Sequence, residues 1–460
     1  MNLASSILVA FIDLSKASIT DWQLYAFYFL LLITTSSLSF LGFRCTQKWQ
    51  NNWQSKMLMF LPAIVMMMGL FGLAKSLNHL GDFTKAYYPA GILVVKNPEM
   101  LYGSNIEGRL GGFVNIPIVA YLLTPFSIFE PFYSQLIFTV VSIAVTFFSY
   151  FLLIDWLKVS GFNQWLILQL FVINGPLYYS IAIGNTTHFL LPIFLLALRA
   201  LKKNHNFAVG FWVAIAALIK VPIVLLGAYF FLRQQWRTLL GFLIPTIITP
   251  LISILIFGFQ LHVEWYQKCI QPFSGKALSA FNNQSVSAFV IRLFTTNAPD
   301  WYPLEMDFGA RLLKYLFFAV LIGGSIWVCW RSKTPKTLEM KNLELCIVLT
   351  LALVISPISW THYYLLLLIP YSLYIAGQLG PFRRGKIAIP IAMSALLISP
   401  PAIKITLANP MLNLLISKVL ISYYFFGGII LLGSLLLMRY QLRSETNRSD
   451  NLTHWAEVSQ

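Results

Sequence analysis

Long apolar stretches alternate with short polar connections along almost the whole chain. Apolar runs of about 18–25 residues suit α-helices that cross a hydrocarbon core about 30 Å thick. This length predicts spans at approximately 23–43, 57–75, 132–154, 165–183, 187–201, 237–258, 309–330, 343–357, 362–379, 387–403 and 418–438. The pattern therefore indicates an all-α polytopic membrane protein.

The apolar stretch 207–232 does not fit a single span. Basic residues flank it on both sides, at 202–203 and at 233–237, and such flanks are expected on the cytoplasmic side. Two short helices that meet near the letters IKVP satisfy this constraint, with Lys220 and Pro222 at the bend. Because non-helical backbone at membrane depth needs protein or water around it, we expect a hairpin that lines a cavity. The hairpin brings the expected total to about 13 transmembrane helices, within a range of about 11–13.

Composition supports a membrane protein. Hydrophobic residues make up 58% of the chain and charged residues only 10%, whereas soluble domains carry about 25% charged residues. The net charge of +16 does not indicate a nucleic-acid partner, because the basic residues are concentrated in short connections, as the positive-inside rule predicts for cytoplasmic loops. These clusters lie at 44–56, 202–203, 233–237, 331–341, 383–386 and 439–448. We therefore expect the partner of this chain to be membrane lipid and not nucleic acid.

The pattern divides the chain into three parts. Residues 1–56 are expected to form an interfacial segment and an additional transmembrane helix, 57–440 the membrane domain, and 441–460 a polar cytoplasmic tail. Two long loops, about 76–131 and about 259–308, fall on the extracytoplasmic side. They are expected to carry short interfacial helices, one of them at the letters AYYPAGILVV in the first loop.

Polar and ionisable side chains gather near the extracytoplasmic ends of the predicted helices. Such groups are costly at membrane depth and indicate function by default. They comprise Asp82, Asn185, His188, Lys220, the letters NNQS at 282–285, Arg292 and His362. Each also has an ordinary explanation, such as a solvated loop aspartate, a snorkelling lysine or an interfacial aromatic belt around a histidine. Their position on one side of the membrane favours a shared site.

Transfer of a sugar from a lipid phosphate would use each of these residue types. The acceptor hydroxyl needs a general base, which a carboxylate supplies, and the leaving lipid phosphate is stabilised by Lys, Arg or His. Asn, Gln and Ser match sugar hydroxyls, Trp and Tyr rings pack on a pyranose, and an isoprenoid tail fits a groove between apolar helices. No Gly-rich phosphate loop follows a strand, which argues against a nucleotide-sugar domain.

Four sequence features follow one another along the chain. They are GDFTKAYYPAG after a span, FVNIPIVAYLLTPF, AVGFWVAIAALIKVPIVLLGAYFFLRQQWR, and the pair NNQSVSAFVIR and ISPISWTHYY. In this order, over about residues 57–440, they resemble the GT-C membrane glycosyltransferases and, within them, glycosyltransferase family 87, the polyprenol-phosphate-mannose-dependent mannosyltransferases. Departures from the family pattern fall at Asn115, Asn185 and Tyr363, where members commonly carry tyrosine, glutamine and a second histidine.

The resemblance implies a GT-C fold and an inverting transfer, in one displacement, of mannose or a related hexose. The donor would be a polyprenyl-phosphate sugar and the acceptor a lipid-linked or other glycan. Asp82 is expected to be the general base, and Arg292, Lys220 and His362 are expected, on charge, to bind the donor phosphate. The expected sugar and acceptor contacts are Tyr87, Tyr88, Asn185, Asn283, Gln284 and Trp360.

No metal or other cofactor is expected, since this mechanism does not need one and the chain has no Asp-x-Asp motif. The distribution of the family implies a bacterial inner membrane, with the active site facing the periplasm or exterior. The alternative class is a transporter or flippase for lipid-linked sugars. Transporters commonly carry paired halves with interrupted helices at equivalent positions, and this sequence has one such helix and no second half, so we expect an enzyme.

Overall fold

The protein is described by a computed structural model. It covers residues 80–106, 109–295, 300–330, 337–381, 385–400 and 416–458, and single positions at 34, 37, 40, 41, 44, 335 and 414. The span predicted at 57–75 lies outside the described residues. So does most of the segment 1–56, apart from isolated helical positions within the span predicted at 23–43 and at residue 44.

Helices form most of the described secondary structure. The α-helices are α1 (Tyr88–Lys96), α2 (Pro117–Ala120), α3 (Thr124–Ser127), α4 (Pro131–Leu157), α5 (Gly161–Val172), α6 (Gly175–Ala182), α7 (Leu190–Lys202), α8 (Asn206–Ile219), α9 (Leu225–Leu232), α10 (Trp236–Phe257), α11 (Phe259–Trp265), α12 (Val286–Phe294), α13 (Phe308–Trp330), α14 (Leu338–Ile355), α15 (Leu368–Ile375), α16 (Ala388–Ile398) and α17 (Tyr423–Val458). In the described part of the chain, the sheet consists of two antiparallel pairs of short strands. They are β1 (Asn105–Ile106) with β2 (Arg109–Leu110), and β3 (Lys276–Leu278) with β4 (Pro303–Glu305).

Several helices are suited to a bilayer. Among the described residues, four are long and apolar enough to cross one: α4, α10, α13 and the segment Ile416–Leu442, which includes the first part of α17. The pair α5 and α6 is bent by 46° at its break and is a fifth span if the pair is counted as one. These helices confirm an all-α membrane protein. The GT-C fold and the total number of spans remain predictions.

The bend between α5 and α6 interrupts a stretch predicted as one span, 165–183. The side-chain oxygen of Asn174 accepts a hydrogen bond from a backbone N–H in the first turn of α6 at 2.8 Å, and asparagine is among the preferred N-caps. Gly175 donates its N–H to the Ser399 carbonyl at 2.8 Å, and a Cβ at this glycine would overlap the backbone of Pro400. The cap and the close backbone approach explain why the span is broken.

The predicted interruption near Lys220 is present. Lys220 stands between α8 and α9 with an extended backbone (φ −135°, ψ 101°), and a 3₁₀ turn containing Pro222 follows it. α8 packs closely on α10, since a Cβ at Gly210 would overlap the Thr238 carbonyl. Small residues allow such close backbone approach between helices in membranes.

A buried ionic cluster holds the end of α9 that is remote from Lys220. Glu344 of α14 is fully buried and accepts hydrogen bonds from Arg233 Nε and Arg439 Nε, each at 2.8 Å, and from the Tyr229 hydroxyl at 3.0 Å. The carboxylate thereby joins α9, α14 and α17.

Three clusters of buried apolar side chains support the fold. The largest is formed by α4–α10 and α14–α17. A second is formed by the first loop and the start of α4, from Leu80 to Phe138, with Leu261 and Cys269. The third joins β3, α12 and α13 to Val354 and Phe425. Segments from all three regions line one cavity.

Two further segments can be compared with the sequence predictions. α1 confirms the short helix predicted from AYYPAGILVV, with Ala90, Gly91 and Val94 buried. α17 continues to Val458, so the segment 441–460, predicted as a polar tail, is helical up to that residue.

Candidate active site

Asp82 stands at the start of a π-helical turn, Phe83–Tyr87, that leads directly into α1. This helical turn is held against the turn that follows α6. The backbone N–H groups of Asp82 and Phe83 both donate to the Ile183 carbonyl, at 2.8 and 3.3 Å. Gly184 permits this contact, because its φ is +70° and a Cβ there would lie 2.5 Å from Phe83 Cβ. The position of Asp82 is therefore set by a neighbouring turn as well as by its own helix.

Asn185 follows in the same turn and binds the Asp82 side chain. Its Nδ2 donates to Asp82 Oδ2 at 2.6 Å. Its Oδ1 accepts hydrogen bonds from Lys220 Nζ at 3.1 Å, from the Thr187 N–H at 3.1 Å and from the Thr187 hydroxyl at 2.8 Å. One amide therefore contacts both the predicted base and a predicted phosphate-binding lysine.

Lys220 is buried against protein on the other side of this amide. Its Nζ also lies 5.1 Å from the centroid of the Tyr363 ring, over the ring face. A lysine ammonium has three N–H donors, and within the described part of the chain only Asn185 accepts a hydrogen bond from it. Two donors are left for a ligand or water in the cavity that Lys220 lines.

Asp82, Asn185 and Lys220 line one cavity of about 1510 Å³. Pockets for drug-sized ligands measure about 300–1,000 Å³, so this one has room for two substrates. Part of the lining is apolar and comes from the α8–α9 turn and the end of α14: Val221, Pro222, Val224, Leu225, Ala352 and Ile355. Another part is aromatic: Tyr266, Phe281, Trp301, Tyr302 and Trp360. The cavity thus combines a carboxylate, a cation, an apolar surface and aromatic rings.

His362 lines the same cavity as Lys220. Its ring is stacked on Tyr179, with centroids 6.2 Å apart. Neither ring nitrogen has a hydrogen-bond partner among the described residues. Buried polar atoms are nearly always paired, so with respect to the described residues both nitrogens are open to a ligand or a water molecule.

Two of the sequence motifs form one structural unit. The Gln284 N–H donates to the Ser359 carbonyl at 2.7 Å, and the Thr361 N–H donates to the Asn282 carbonyl at 2.8 Å. The Asn283 side-chain oxygen accepts from the Ser359 N–H at 2.9 Å. The stretches NNQS and ISPISWTH are therefore adjacent in space, as expected for parts of one site.

Three predicted site residues hold this unit together and do not line the cavity. Arg292 donates to three backbone carbonyls of the segment 279–283 at 2.9–3.2 Å and to the Ser422 hydroxyl at 3.0 Å. The Gln284 amide donates to two backbone carbonyls at 2.8 Å, and the Asn283 amide to another at 3.0 Å. The structure does not bring Arg292, Asn283 or Gln284 to the cavity lining, and most of their hydrogen bonds go to backbone carbonyls of the fold.

The predicted aromatic contacts differ among themselves. Tyr87 lines the cavity. The Tyr88 hydroxyl instead donates to the Phe129 carbonyl at 3.0 Å, and Tyr88 is not part of the cavity lining. Trp360 lines the cavity, with its ring centroid 5.5 Å from that of Trp301.

Sequence reasoning missed several residues of the cavity lining. Asn282 precedes the predicted Asn283 in the same motif, and Asn282 lines the cavity whereas Asn283 does not. The Asn282 amide donates to the Tyr179 hydroxyl at 3.4 Å. Trp301 and Tyr363 belong to the aromatic stretches PDWYP and WTHYY, in which the sequence gives several rings of similar type and no means to choose among them.

The surroundings of Asp82 affect its proton affinity. Burial raises the pKa of its carboxyl above the ordinary value of 3.8, while the hydrogen bond from Asn185 and the charge of Lys220 oppose this rise. A raised pKa suits a general base, since proton transfer is most effective when the pKa approaches the working pH. Within the described part of the chain, no group of three or more His, Cys, Asp or Glu is placed to hold a metal ion; metal independence remains a prediction.

Comparison with known protein families assigns residues 113–357, just over half of the chain, to glycosyltransferase family 87. No curated protein and no solved structure matched the chain. The matched region is narrower than the resemblance over 57–440. It includes Asn185 and Lys220 but neither Asp82 nor His362, which the structure brings to the same cavity. On this match the chain belongs to glycosyltransferase family 87.

Proposed function

We propose that this membrane glycosyltransferase has a GT-C fold and moves mannose or a related hexose from a polyprenyl-phosphate sugar to a lipid-linked or other glycan acceptor on the extracytoplasmic face. One observation carries the proposal. Asp82 and Lys220 are held on either side of the Asn185 amide, in a cavity with both apolar and aromatic lining. Membership of the family supports glycosyl transfer, and the geometry supports the roles of these residues.

The proposed reaction is a single displacement. The acceptor hydroxyl oxygen attacks the anomeric carbon, and Asp82 Oδ1 accepts the hydroxyl proton. The bond between the anomeric carbon and the phosphate oxygen breaks, and the lipid phosphate leaves with the electron pair. Because attack and departure take place on opposite faces of the sugar, the anomeric configuration inverts.

Lys220 is the proposed contact for the donor phosphate, with His362 beside it in the same cavity. Two N–H donors of Lys220 are unused by the described residues, and charge-assisted hydrogen bonds to phosphate are among the stronger ones. The same bonds stabilise the charge that develops on the leaving phosphate. Val221 and Val224 follow Lys220 along the chain and are 61% and 52% exposed, which supports an adjoining path for the isoprenoid tail.

The aromatic part of the cavity is the proposed acceptor region. Trp301 and Trp360 expose rings that suit the apolar faces of sugars. Asn282 is buried beside them and its side-chain oxygen has no hydrogen-bond partner among the described residues, so a sugar hydroxyl or a water molecule is its expected partner. Tyr87 completes the proposed contacts near Asp82.

The basic turns support the proposed orientation. α7 begins beside the Thr187 turn and ends at Lys202, and a helix of this length is about 20 Å long. At that end Arg199 and Lys202 lie near Asp155 and Trp156 of α4. Since basic ends are expected in the cytoplasm, the cavity faces the exterior, which would be the periplasm in a bacterial inner membrane. Reporter fusions near residue 95 should report outside, and fusions near residue 336 inside.

The test uses purified protein in lipid nanodiscs with radiolabelled polyprenyl-phosphate mannose and extracted glycolipids as acceptors. We expect the wild-type protein to form product and Asp82→Asn to lower the rate by about 10²–10⁴-fold, the range for general-base catalysis. Asp155→Asn is the matched control, because Asp155 lies on the surface in an ion pair with Lys158; it should keep the wild-type rate. A folded Asp82→Asn protein that still transfers sugar would rule out the base.

The same preparations separate transfer from transport. A transporter or flippase would move a labelled lipid-linked sugar across a vesicle membrane without forming a new glycosidic bond. In that case neither the wild-type protein nor Asp82→Asn would form any glycosidic product. Family membership and the carboxylate in the cavity favour transfer, so we expect new product and its loss in Asp82→Asn.

A further inference from the structure

We propose that Asn185 is a positioning residue that holds the general base Asp82 and the cation Lys220 at a fixed separation during transfer. The inference rests on the proposed function. The sequence predicts a sugar contact for Asn185, but the structure gives its amide one carboxylate partner and three donors from Lys220 and Thr187. Most hydrogen-bonding positions of the Asn185 side chain are therefore occupied by protein and not open to a substrate.

The chemistry of the partners determines which way the amide points. A carboxylate only accepts hydrogen bonds and an ammonium only donates them. With the amide reversed, its oxygen would face Asp82 and its N–H groups would face Lys220, so both contacts would become repulsive. The Thr187 N–H and hydroxyl add two further donors to the oxygen side. The observed orientation is therefore the favourable one.

The backbone around Asn185 is also fixed. Its own N–H donates to the Ser180 carbonyl at 2.8 Å, one turn back in α6. The side chain is 4% exposed. Gly184, immediately before it, allows the turn to touch the loop of Asp82. A rigid support of this kind is what a catalytic group needs to hold its geometry.

An amide bridge has a functional advantage over a direct ion pair. Although both side chains are within the described part of the chain, Asp82 and Lys220 form no ion pair within the 4.0 Å that defines one. A direct pair would occupy the carboxylate and lower the pKa of Asp82 further. The bridge leaves Asp82 Oδ1 for the acceptor proton and two Lys220 donors for the phosphate, so each group serves a different substrate.

The other groups around Asp82 do not replace this bridge. Lys220 approaches from the turn between α8 and α9. Tyr87 of the π-helical turn that Asp82 begins, Tyr179 of α6 and Tyr363 of the turn after α14 approach as phenols. The hydrogen bond from Asn185 and the charge of Lys220 are the two influences that favour the charged carboxylate. Loss of the amide should therefore move the acidic limb of the pH–rate profile to higher pH.

Two substitutions test the proposal, assayed as full-length protein in nanodiscs with polyprenyl-phosphate mannose. Asn185→Leu removes both hydrogen-bonding functions at similar volume. We expect kcat to fall about 10²-fold, the effect of a displacement of about 1 Å at a catalytic group, with the acceptor KM changed less than about threefold and the acidic limb moved to higher pH. Asn185→Asp keeps the shape and an oxygen for Thr187. It should move the acidic limb upward as well, because two adjacent carboxylates raise the pKa of one of them.

Asn174→Leu is the matched control. Asn174 is a buried asparagine that caps the other end of the same helix, so its loss should lower the melting temperature without moving the acidic limb. A purely structural role for Asn185 would give the same result as this control.

The outcomes separate the two proposals. If wild-type protein forms no product from the lipid-phosphate sugar, the proposed function fails and the inference falls with it. If the wild type and Asp82→Asn behave as proposed but a folded Asn185 variant keeps the wild-type acidic limb, only the inference is overturned. An acceptor KM raised about tenfold at unchanged kcat would equally overturn it, since that result marks a substrate contact. Should Asn185→Leu fail to fold, Asn185→Ala, which also lacks both hydrogen-bonding functions, decides by the same two readouts.

Discussion

Gly184→Ala tests whether the turn after α6 sets the position of Asp82. A Cβ at Gly184 would lie 2.5 Å from Phe83 Cβ, whereas carbon atoms pack at about 3.5–4.0 Å. The turn and the Asp82 loop must therefore separate by roughly 1 Å. The hydrogen bond from the Asp82 N–H to the Ile183 carbonyl, now 2.8 Å, would then exceed the usual limit of about 3.2 Å.

We expect kcat to fall about 10²-fold, because a displacement of about 1 Å at a catalytic group has an effect of this size. The fall corresponds to about 2.7 kcal/mol in the activation free energy. The assay is the initial rate of sugar transfer at saturating donor and acceptor, accompanied by thermal unfolding of the same preparation.

Gly377→Ala separates steric displacement from backbone strain. Gly377 has φ +72°, against +70° at Gly184, but no atom lies within 4 Å of its added Cβ. Both substitutions place a side chain in the left-handed region, which costs about 1–2 kcal/mol, so both should lower the melting temperature. Only Gly184→Ala should lower kcat. If folded Gly184→Ala keeps more than about a third of the wild-type kcat, the displacement argument is refuted.

Further substitutions distinguish ligand contacts from structural ones. Lys220→Met should raise the donor KM at least about tenfold, since a hydrogen bond to a charged group contributes about 1.5–3 kcal/mol. Arg292→Met should lower the melting temperature and leave the donor KM within about threefold of the wild-type value. A donor KM that rises in Arg292→Met but not in Lys220→Met would contradict both assignments. Trp301→Ala should raise the acceptor KM with kcat nearly unchanged, and an unaltered KM in steady-state kinetics would remove Trp301 from the acceptor region. Glu344→Gln should lower the free energy of unfolding by about 3–5 kcal/mol, because it leaves two arginines without a buried carboxylate; an unchanged melting temperature would contradict this. The wild-type kcat should fall on acidification with a midpoint above pH 3.8, because the base acts deprotonated and burial raises the pKa of Asp82. A midpoint at or below pH 3.8 would contradict the rise of this pKa by burial.

Features that depend on local pattern and charge could be predicted from the sequence. Hydropathy gives the apolar helices because the bilayer fixes their length. Basic flanks on both sides of one apolar stretch predict the interruption at Lys220. Asp82, Lys220 and His362 share one cavity, as their common side of the membrane indicates.

Features that depend on tertiary partners could not be predicted. A buried arginine in an apolar stretch has the same sequence signature whether it binds a ligand phosphate or backbone carbonyls. Arg292 binds three carbonyls because the segment 279–283 turns back over α12. Asn282 and Asn283 are identical in type, and their pairing with Ser359 and Thr361 decides which of them lines the cavity.

The need to satisfy backbone hydrogen bonds at helix ends explains why the site lies where helices are interrupted. A helix that ends inside the membrane leaves backbone carbonyls without partners, and these must be satisfied by protein or water. Asn115 shows one solution, since its amide donates to the Ile219 carbonyl at the end of α8 at 3.0 Å. The turn after α6, the break at Lys220 and the turn that begins at Thr361 meet at one cavity. Polar side chains needed to close these ends are therefore already gathered at the cavity. It follows that a substitution at the site alters a helix end as well as the chemistry. A change in kcat there must therefore be compared with a control variant in which a helix end outside the cavity is altered.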